Sequence, residues 1–306
     1  MIRASRADVV TALMQTTSVS QAVTGGDFWV AGKDCDLVAR LKSDTLLVTF
    51  DNLASINERP TERPWPVWMQ SRATESNYSV LGVQSHHKDW YRSAEAPDQI
   101  AELQAQGFFK RFQNIVFTGT SMGGFAALCF AGLVPGARVL AFSPQSTLNR
   151  EIAPFERRYP YPYRKFDWQT PDYLDAAHYV GRISGGHVFY DPQVREDWLH
   201  AQRLQTPGLT QVPIPYAGHT LIRVLAKAGA LDHLMTTYPG SGRVDADFFR
   251  LLRNKRANKA WAKPFLAAAL ARGNGPLAHR ACKALHREHG HGFARRQLRQ
   301  INAATK

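Results

Sequence analysis

One short segment of the chain places a serine where it could act as a nucleophile. The apolar run 114–118 leads into Gly119-Thr120-Ser121-Met122-Gly123-Gly124, and small and apolar residues follow as far as 133. This G-x-S-x-G pattern is typical of a sharp strand-to-helix turn that holds the serine oxygen above the carboxyl end of the strand. Glycine at 119 and 123 removes side chains that would clash in such a turn. Ser121 is therefore a candidate nucleophile for acyl chemistry; the alternative is an ordinary glycine-rich turn in which it only caps the helix.

The elements that would position this serine follow one another in a regular alternation. Apolar, β-branched runs alternate with stretches of helical spacing, which predicts an α/β fold with a mostly parallel sheet covered by helices on both faces. After an early hairpin over residues 28–41, strands are predicted at 45–50, 78–84, 114–118, 138–142, 187–190 and 211–215, and helices at 96–106, 122–133, 194–204 and 220–228.

With the turn at Gly119–Gly124 placed between a buried strand and a helix, the chain resembles the α/β-hydrolase family over roughly residues 27–235. The resemblance implies a serine, an acid and a histidine in that chain order, each after a strand. His219 stands between the last strand and the last body helix, and it is the only one of the 11 histidines so placed. It is the general base that the resemblance implies. The implied acid is Asp191, which ends the penultimate strand ahead of Pro192; its rivals are Glu196 and Asp197 on the next helix.

An oxyanion hole requires two donors near the serine. The backbone N–H of Met122 stands at the start of the helix and points where a tetrahedral oxyanion would form. The resemblance implies that the second donor comes from the loop after an early strand, here the strand 45–50. No HGGG-type motif is present in that loop, so Asn52 and Leu53 are both candidates. The side chain of Asp51 should point away from an oxyanion.

A long connection and a polar loop are candidates for substrate contact. Residues 144–181 separate two strands and hold eight aromatic residues, Tyr163 and Trp168 among them. A connection of this length is usually functional, and we expect a cap-like insertion over Ser121. His86 follows the strand 78–84 on the same edge of the sheet as the serine, as a rim contact or as part of a solvated loop. No spacing typical of a metal site accompanies it.

Charge divides the chain into two parts. The protein has 306 residues and a net charge of +13, of which residues 239–306 carry +12 and residues 1–238 carry +1. This shift predicts an α/β-hydrolase domain over 1–238 and a basic helical region over 239–306. The basic region could contact an acidic partner or surface, or be simply solvated. Because all three triad candidates precede it, we expect the chemistry to survive its removal.

Composition excludes several classes of protein. Hydrophobic residues make up 44% and charged residues 21%, which is globular composition. No apolar run is long enough to span a membrane, and the first twenty residues lack the apolar core of a secretory signal. Three widely separated cysteines predict reduced thiols in the cytoplasm, with neither a disulfide framework nor a zinc site.

The sequence therefore predicts a serine esterase that cleaves a small carboxylic ester or thioester through an acyl-serine intermediate, without a metal or organic cofactor. Two alternatives stay open. The same three residues could transfer the acyl group to an acceptor other than water. The protein could also be a non-catalytic binding or assembly protein that uses its basic tail. Nucleic-acid binding is the weakest candidate, since no recognised nucleic-acid-binding motif accompanies the basic charge.

Overall fold

The computed structural model describes residues 26–304, so the prediction made for the first twenty residues lies outside the described part. Within it, eight strands form one sheet in the order β1-β2-β4-β3-β5-β6-β7-β8. β1 and β2 form the predicted hairpin, β2 pairs antiparallel with β4, and the pairs from β4 to β8 are parallel. The strands are β1 Phe28–Val30, β2 Cys35–Arg40, β3 Thr45–Phe50, β4 Ser79–Ser85, β5 Asn114–Thr120, β6 Arg138–Phe142, β7 Gly185–Tyr190 and β8 Leu209–Pro213.

Helices cover both faces of this sheet, as the alternation of elements predicted. The helices are α1 Leu53–Asn57, α2 Gln70–Glu75, α3 Glu95–Ala105, α4 Met122–Phe130, α5 Pro160–Lys165, α6 Arg195–Arg203, α7 Leu221–Lys227, α8 Ala230–Ser241, α9 Ala246–Leu252, α10 Lys259–Ala271, α11 Gly275–Arg287 and α12 Gly292–Ala304. Helices α3 and α4 pack on one face together with part of the insertion, and α7 to α11 pack on the other. The predicted fold class, with its C-terminal helices, is confirmed.

The central strands are buried because helices cover both faces of the sheet. Every residue of β3 and β4 is buried, which explains why these strands read as continuous runs of apolar and small residues rather than alternating ones. The carboxyl ends of the parallel strands share one edge of the sheet. Residues that follow β3, β5, β7 and β8 are thereby brought close together.

The first helix of the basic C-terminal region, α9, packs against the sheet. Phe248 of α9 contacts Phe189 of β7 edge-on, with ring centroids 5.7 Å apart. The charge boundary between residues 238 and 239 falls within α8 and so does not coincide with the end of a helix. Arg295, Arg296 and Arg299 of α12 are exposed, and an acidic partner for them stays a prediction.

Candidate active site

Ser121 lies in a strained turn between β5 and α4. Its backbone adopts φ 54° and ψ −116°, a conformation that non-glycine residues rarely take and that clusters at functional sites. The neighbouring glycines are sterically required. A β-carbon on Gly119 would lie 2.2 Å from the carbonyl carbon of Gly123, and one on Gly123 would lie 2.6 Å from the carbonyl oxygen of Phe50. The spacing of the motif thus reflects how tightly the turn packs on itself and on the end of β3.

His219 lies within hydrogen-bonding distance of this serine. Its Nε2 atom is 3.1 Å from Ser121 Oγ, although the two residues are almost a hundred positions apart in the chain. The β8–α7 loop that carries His219 has two left-handed residues, Tyr216 at φ 65° and Gly218 at φ 74°. These two turns bring the imidazole back over the carboxyl edge of the sheet. The structure therefore brings together two of the predicted site residues.

The acid that contacts His219 is Asp197. Its Oδ1 and Oδ2 atoms lie 2.9 and 3.0 Å from His219 Nδ1, and its side chain is fully buried. Because a carboxylate only accepts hydrogen bonds, Nδ1 carries the proton and Nε2 is left free to accept one from Ser121. The sequence-based choice of Asp191 for this contact was wrong, and its rival on the next helix takes the place.

Asp191 instead holds the backbone of the loop that carries His219. Its Oδ1 accepts from the N–H groups of Gln193 at 2.8 Å and Tyr216 at 3.1 Å, and its Oδ2 accepts from Gly218 at 2.6 Å. Asp191 emerges at the carboxyl edge of the sheet, as predicted. Its carboxylate there is saturated by amides, which explains why the acid facing the imidazole comes from the first turn of α6.

The C-terminal helices contact the same loop from the other side. The Trp261 indole N–H donates to the Pro215 carbonyl at 2.8 Å, and the rings of Trp261 and Phe265 pack around Tyr216. Arg272 donates to the Tyr216 hydroxyl at 3.1 Å. The order of residues along the chain gave no sign that the basic region supports the loop of His219.

The β3–α1 loop lies beside the start of α4. The carbonyls of Phe50 and Asp51 approach Gly123 closely, so this loop adjoins the N–H of Met122. The two predicted donors in the loop differ. The Asn52 N–H donates to Ser55 Oγ at 2.8 Å, whereas Leu53 is the first residue of α1, where an N–H has no helical partner. The carboxylate of Asp51 pairs with Arg59 and thus points away, as predicted.

The insertion reaches the serine through Tyr159. The Tyr159 hydroxyl is 2.9 Å from His219 Nε2 and 3.5 Å from Ser121 Oγ. Burial raises the pKa of this phenol above its usual value, although Arg158 and Ser121 oppose the shift. Gln145, which is fully buried, places Oε1 3.2 Å from Ser121 Oγ and also accepts from the Trp90 indole at 3.0 Å. The expected approach of an insertion aromatic to the serine is therefore present.

A charged network lies behind Asp197. Arg158 Nη1 is 2.7 Å from Asp197 Oδ1, and its Nε is 3.1 Å from both carboxylate oxygens of Glu156. Glu156 in turn contacts His200 Nε2 at 3.1 Å. Burial opposes ionisation of Glu156, but hydrogen bonds from His200 and Arg158 lower its pKa to about 2. Burial lowers the pKa of His200 despite the nearby carboxylate, so this imidazole is neutral.

A cavity of about 490 Å³ opens beside the serine. Its walls come from the β3–α1 loop, the segment 67–72 and helix α7, and Ser121, Tyr159 and His219 also line it. The remaining lining residues include Asn52, Leu53, Glu58, Val67, Trp68, Met69, Arg72, Ile222, Arg223, Ala226 and Leu231. About half of the lining side chains are apolar and the others are polar or charged, and the volume is in the range that small-molecule sites occupy.

The three residues predicted to bind substrate lie outside this cavity, which corrects that assignment. His86 is held by the Lys33 carbonyl at 2.9 Å and by the buried Asp36 carboxylate at 2.9 Å. Trp168 is 2% exposed and packs in the core. The Arg150 guanidinium lies over the Tyr163 ring, with its Cζ atom 4.1 Å from the ring centroid. Aromatic content correctly indicated that the insertion contacts the serine, but Tyr163 and Trp168 were the wrong residues. The local backbone conformation decides which aromatic ring faces Ser121.

Sequence reasoning also missed Gln145 and Arg158. Gln145 could have been found, because it follows the strand β6 by three residues at the same edge of the sheet. Arg158 carries no local signal, since its partner Asp197 is 39 positions away.

Within residues 26–304, no helix combines the length and hydropathy needed to cross a bilayer. No group of three or more His, Cys, Asp or Glu side chains there could hold a metal ion. The three cysteines are free and buried.

No protein-family profile and no curated protein sequence matches the chain. Several solved structures are similar to it. The capsule O-acetyltransferase of Neisseria meningitidis serogroup A is 12% identical, with a TM-score of 0.44, over 67% of this chain and 93% of that one. A hyperthermophilic esterase from the archaeon Pyrobaculum calidifontis is 14% identical, with a TM-score of 0.46, over 74% of this chain and 90% of that one. The acylaminoacyl peptidase of Pyrococcus horikoshii is 11% identical, with a TM-score of 0.44, over 78% of this chain and 46% of that one. Function is therefore inferred from the geometry of Ser121 and its neighbours.

Proposed function

We propose that the protein is a serine hydrolase that cleaves a carboxylic ester or thioester through an acyl-serine intermediate. One observation carries the proposal. Ser121, in a strained turn, lies 3.1 Å from His219 Nε2, and the buried Asp197 holds the opposite nitrogen of the same ring at 2.9 Å. A nucleophile, a base and an acid that orients the base are thus in contact in the order that acyl transfer requires.

In the first step, Ser121 Oγ attacks the carbonyl carbon and its proton passes to His219 Nε2. The imidazolium that forms is stabilised by Asp197, which also fixes the tautomer. The proton then moves from Nε2 to the leaving oxygen or sulfur as its bond to the acyl carbon breaks. An alcohol or thiol departs, and the acyl group stays on Ser121.

The tetrahedral oxyanion needs donors on the side of Ser121 that faces the β3–α1 loop. We assign the N–H groups of Met122 and Leu53 to this role, because each belongs to the first residue of a helix. Met122 follows the serine in the chain, and Leu53 lines the same cavity as the serine. The Asn52 N–H is left out of the assignment, since Ser55 Oγ already accepts from it.

The acyl group is then released to an acceptor that gives its proton to Nε2. Water is the acceptor in a hydrolase. Transfer to a hydroxyl-bearing organic acceptor is the second candidate. The Tyr159 hydroxyl lies 2.9 Å from Nε2, which shows that a hydroxyl on a bulky ring can reach this atom. Analysis of the products formed from one ester with and without an added alcohol distinguishes the two fates.

The proposal is tested by turnover of p-nitrophenyl esters of graded acyl length. Ser121→Ala should abolish turnover, while Ser241→Ala should retain it, because Ser241 is exposed and does not line the cavity. Equal turnover by wild type and Ser121→Ala would reject the proposal.

A further inference from the structure

Arg158 lies against the acid side of the proposed catalytic histidine. Its Nη1 atom is 2.7 Å from Asp197 Oδ1 and 3.5 Å from His219 Nδ1. Since Nδ1 donates its own proton to Asp197, the approach of the guanidinium to this nitrogen is a contact between two donors. A positive charge therefore stands next to the ring that must itself become positive during the reaction.

The guanidinium is held firmly in this place. Both oxygens of Glu156 accept from its Nε at 3.1 Å, and its plane lies over the Tyr159 ring at 5.5 Å. Burial disfavours the charged form, but Glu156 outweighs it and raises the pKa of Arg158. Arg158 is therefore positively charged at neutral pH.

Charged and titratable groups surround His219 from several elements. The end of β7 supplies Asp191, whose Oδ2 accepts from the Gly218 N–H at 2.6 Å. Helix α6 supplies Asp197 and, behind it, the neutral His200. The insertion supplies Arg158, Glu156 and the phenol of Tyr159. A second pair, Arg203 with Asp175, lies further out and joins His200 through Ser146. Glu58, Arg72 and Arg223 line the same cavity as His219.

On the basis of the function assigned above, we propose that Arg158 is a positioning residue for this reaction. It holds the Asp197 carboxylate against His219 and makes the imidazole easier to deprotonate. A cation disfavours a second cation beside it, so Arg158 keeps the base in its neutral, proton-accepting form to lower pH. Glu156 limits this effect by partly neutralising the guanidinium. The insertion thus contributes to the acid–base chemistry as well as contacting the serine through Tyr159.

The test is the pH dependence of kcat/KM with an activated ester, whose acid limb reports the pKa of the base in the free enzyme. Arg158→Gln should move this limb to higher pH, because a positive charge beside the imidazole is removed. Glu156→Gln should move it to lower pH, because Arg158 is then uncompensated. Arg158→Lys keeps the charge and should leave the limb near that of wild type. KM should not change, since Arg158 does not line the cavity.

The matched control is Arg157→Gln, which removes an exposed neighbouring guanidinium whose Nε contacts only the Pro154 carbonyl among the described hydrogen bonds. Its acid limb should equal that of wild type.

The double variant separates the two parts of the role. In an Asp197→Asn background, Arg158→Gln should lower kcat less than it does in wild type, because the carboxylate that Arg158 holds is absent. An unmoved limb in both Arg158→Gln and Glu156→Gln would overturn the proposal, as would shifts of the same sign. If Arg158→Gln does not fold, the downward shift in Glu156→Gln decides alone. Failure of the assigned function itself is recognised separately, by turnover that survives Ser121→Ala.

Discussion

Tyr159 and Ser121 approach the same atom, Nε2 of His219, at 2.9 and 3.1 Å. A neutral imidazole whose Nδ1 carries the proton has one lone pair at Nε2, so only one of the two hydroxyls can donate to it at a time. When Tyr159 donates, Ser121 has Gln145 Oε1 as an alternative acceptor at 3.2 Å. The insertion therefore competes with the nucleophile for its base.

Tyr159→Phe should speed the reaction of Ser121 with a small fluorophosphonate, because removal of the competing donor leaves Nε2 to the serine. One competing hydrogen bond corresponds to about fivefold in the rate. The measurement is the second-order rate constant of inactivation. Tyr163→Phe is the control, since that ring belongs to the same insertion but packs under Arg150. A slower rate for Tyr159→Phe alone would mean that the phenol assists the serine.

Two aspartates near His219 should respond differently to amidation. Asp197→Asn should lower kcat by ~10⁴, as expected when the imidazole is held in the wrong tautomer. Asp191→Asn removes one of two acceptor oxygens from the loop backbone and should instead lower the free energy of unfolding by about 1–3 kcal/mol. The measurements are kcat with an activated ester and urea unfolding of both variants. A larger loss of kcat in Asp191→Asn than in Asp197→Asn would reverse the roles of the two aspartates.

The confusion of these two aspartates shows what a sequence pattern can resolve. Strand ends are marked by the loss of the apolar run, so the edge of the sheet at Ser121 and Asp191 could be predicted. The side-chain direction within the first turn of α6 depends on the short β7–α6 connection, and no pattern fixes it. Asp197, named only as a rival on the next helix, has a fully buried side chain that contacts His219.

Contacts made by the insertion could be predicted even less well. Its aromatic content and its position after β6 correctly indicated that it reaches Ser121. Which of its residues do so depends on long-range packing, because Tyr159 and Arg158 meet His219 across about sixty positions of the chain. The same reason explains why Trp168, equally aromatic, is in the core.

The basic C-terminal region should matter for activity, contrary to the expectation from chain order. Trp261 is 6% exposed and bonds to the carbonyl of Pro215 in the loop of His219. Trp261→Ala should lower the free energy of unfolding by about 3–5 kcal/mol and lower kcat, because the support of that loop is lost. Phe249→Ala, which truncates a ring that is 48% exposed in the neighbouring helix, should change neither. Thermal unfolding and kcat of the two variants check this, and an unchanged kcat in folded Trp261→Ala would show that the loop holds itself.

Glu156 should make the stability of the protein depend on pH. The unfolded chain protonates this group near pH 4.5 and the folded protein only near pH 2. The stabilisation is therefore complete above pH 4.5 and is lost as the pH falls toward 2; it amounts to about 3 kcal/mol. Unfolding in urea across this range should give a flatter profile for Glu156→Gln than for wild type. Glu151→Gln, an exposed change in the same insertion, should keep the wild-type profile.

The central claim is that Ser121 is the activated nucleophile of a serine hydrolase, and covalent labelling tests it most directly. The whole protein is treated with a fluorophosphonate, digested, and the modified peptide is identified by mass spectrometry. We predict a single adduct on Ser121 that is absent from Ser121→Ala and formed far more slowly in His219→Ala, because His219 removes the proton from the attacking oxygen. An adduct on any other residue, or a rate unaffected by His219→Ala, would contradict the assignment.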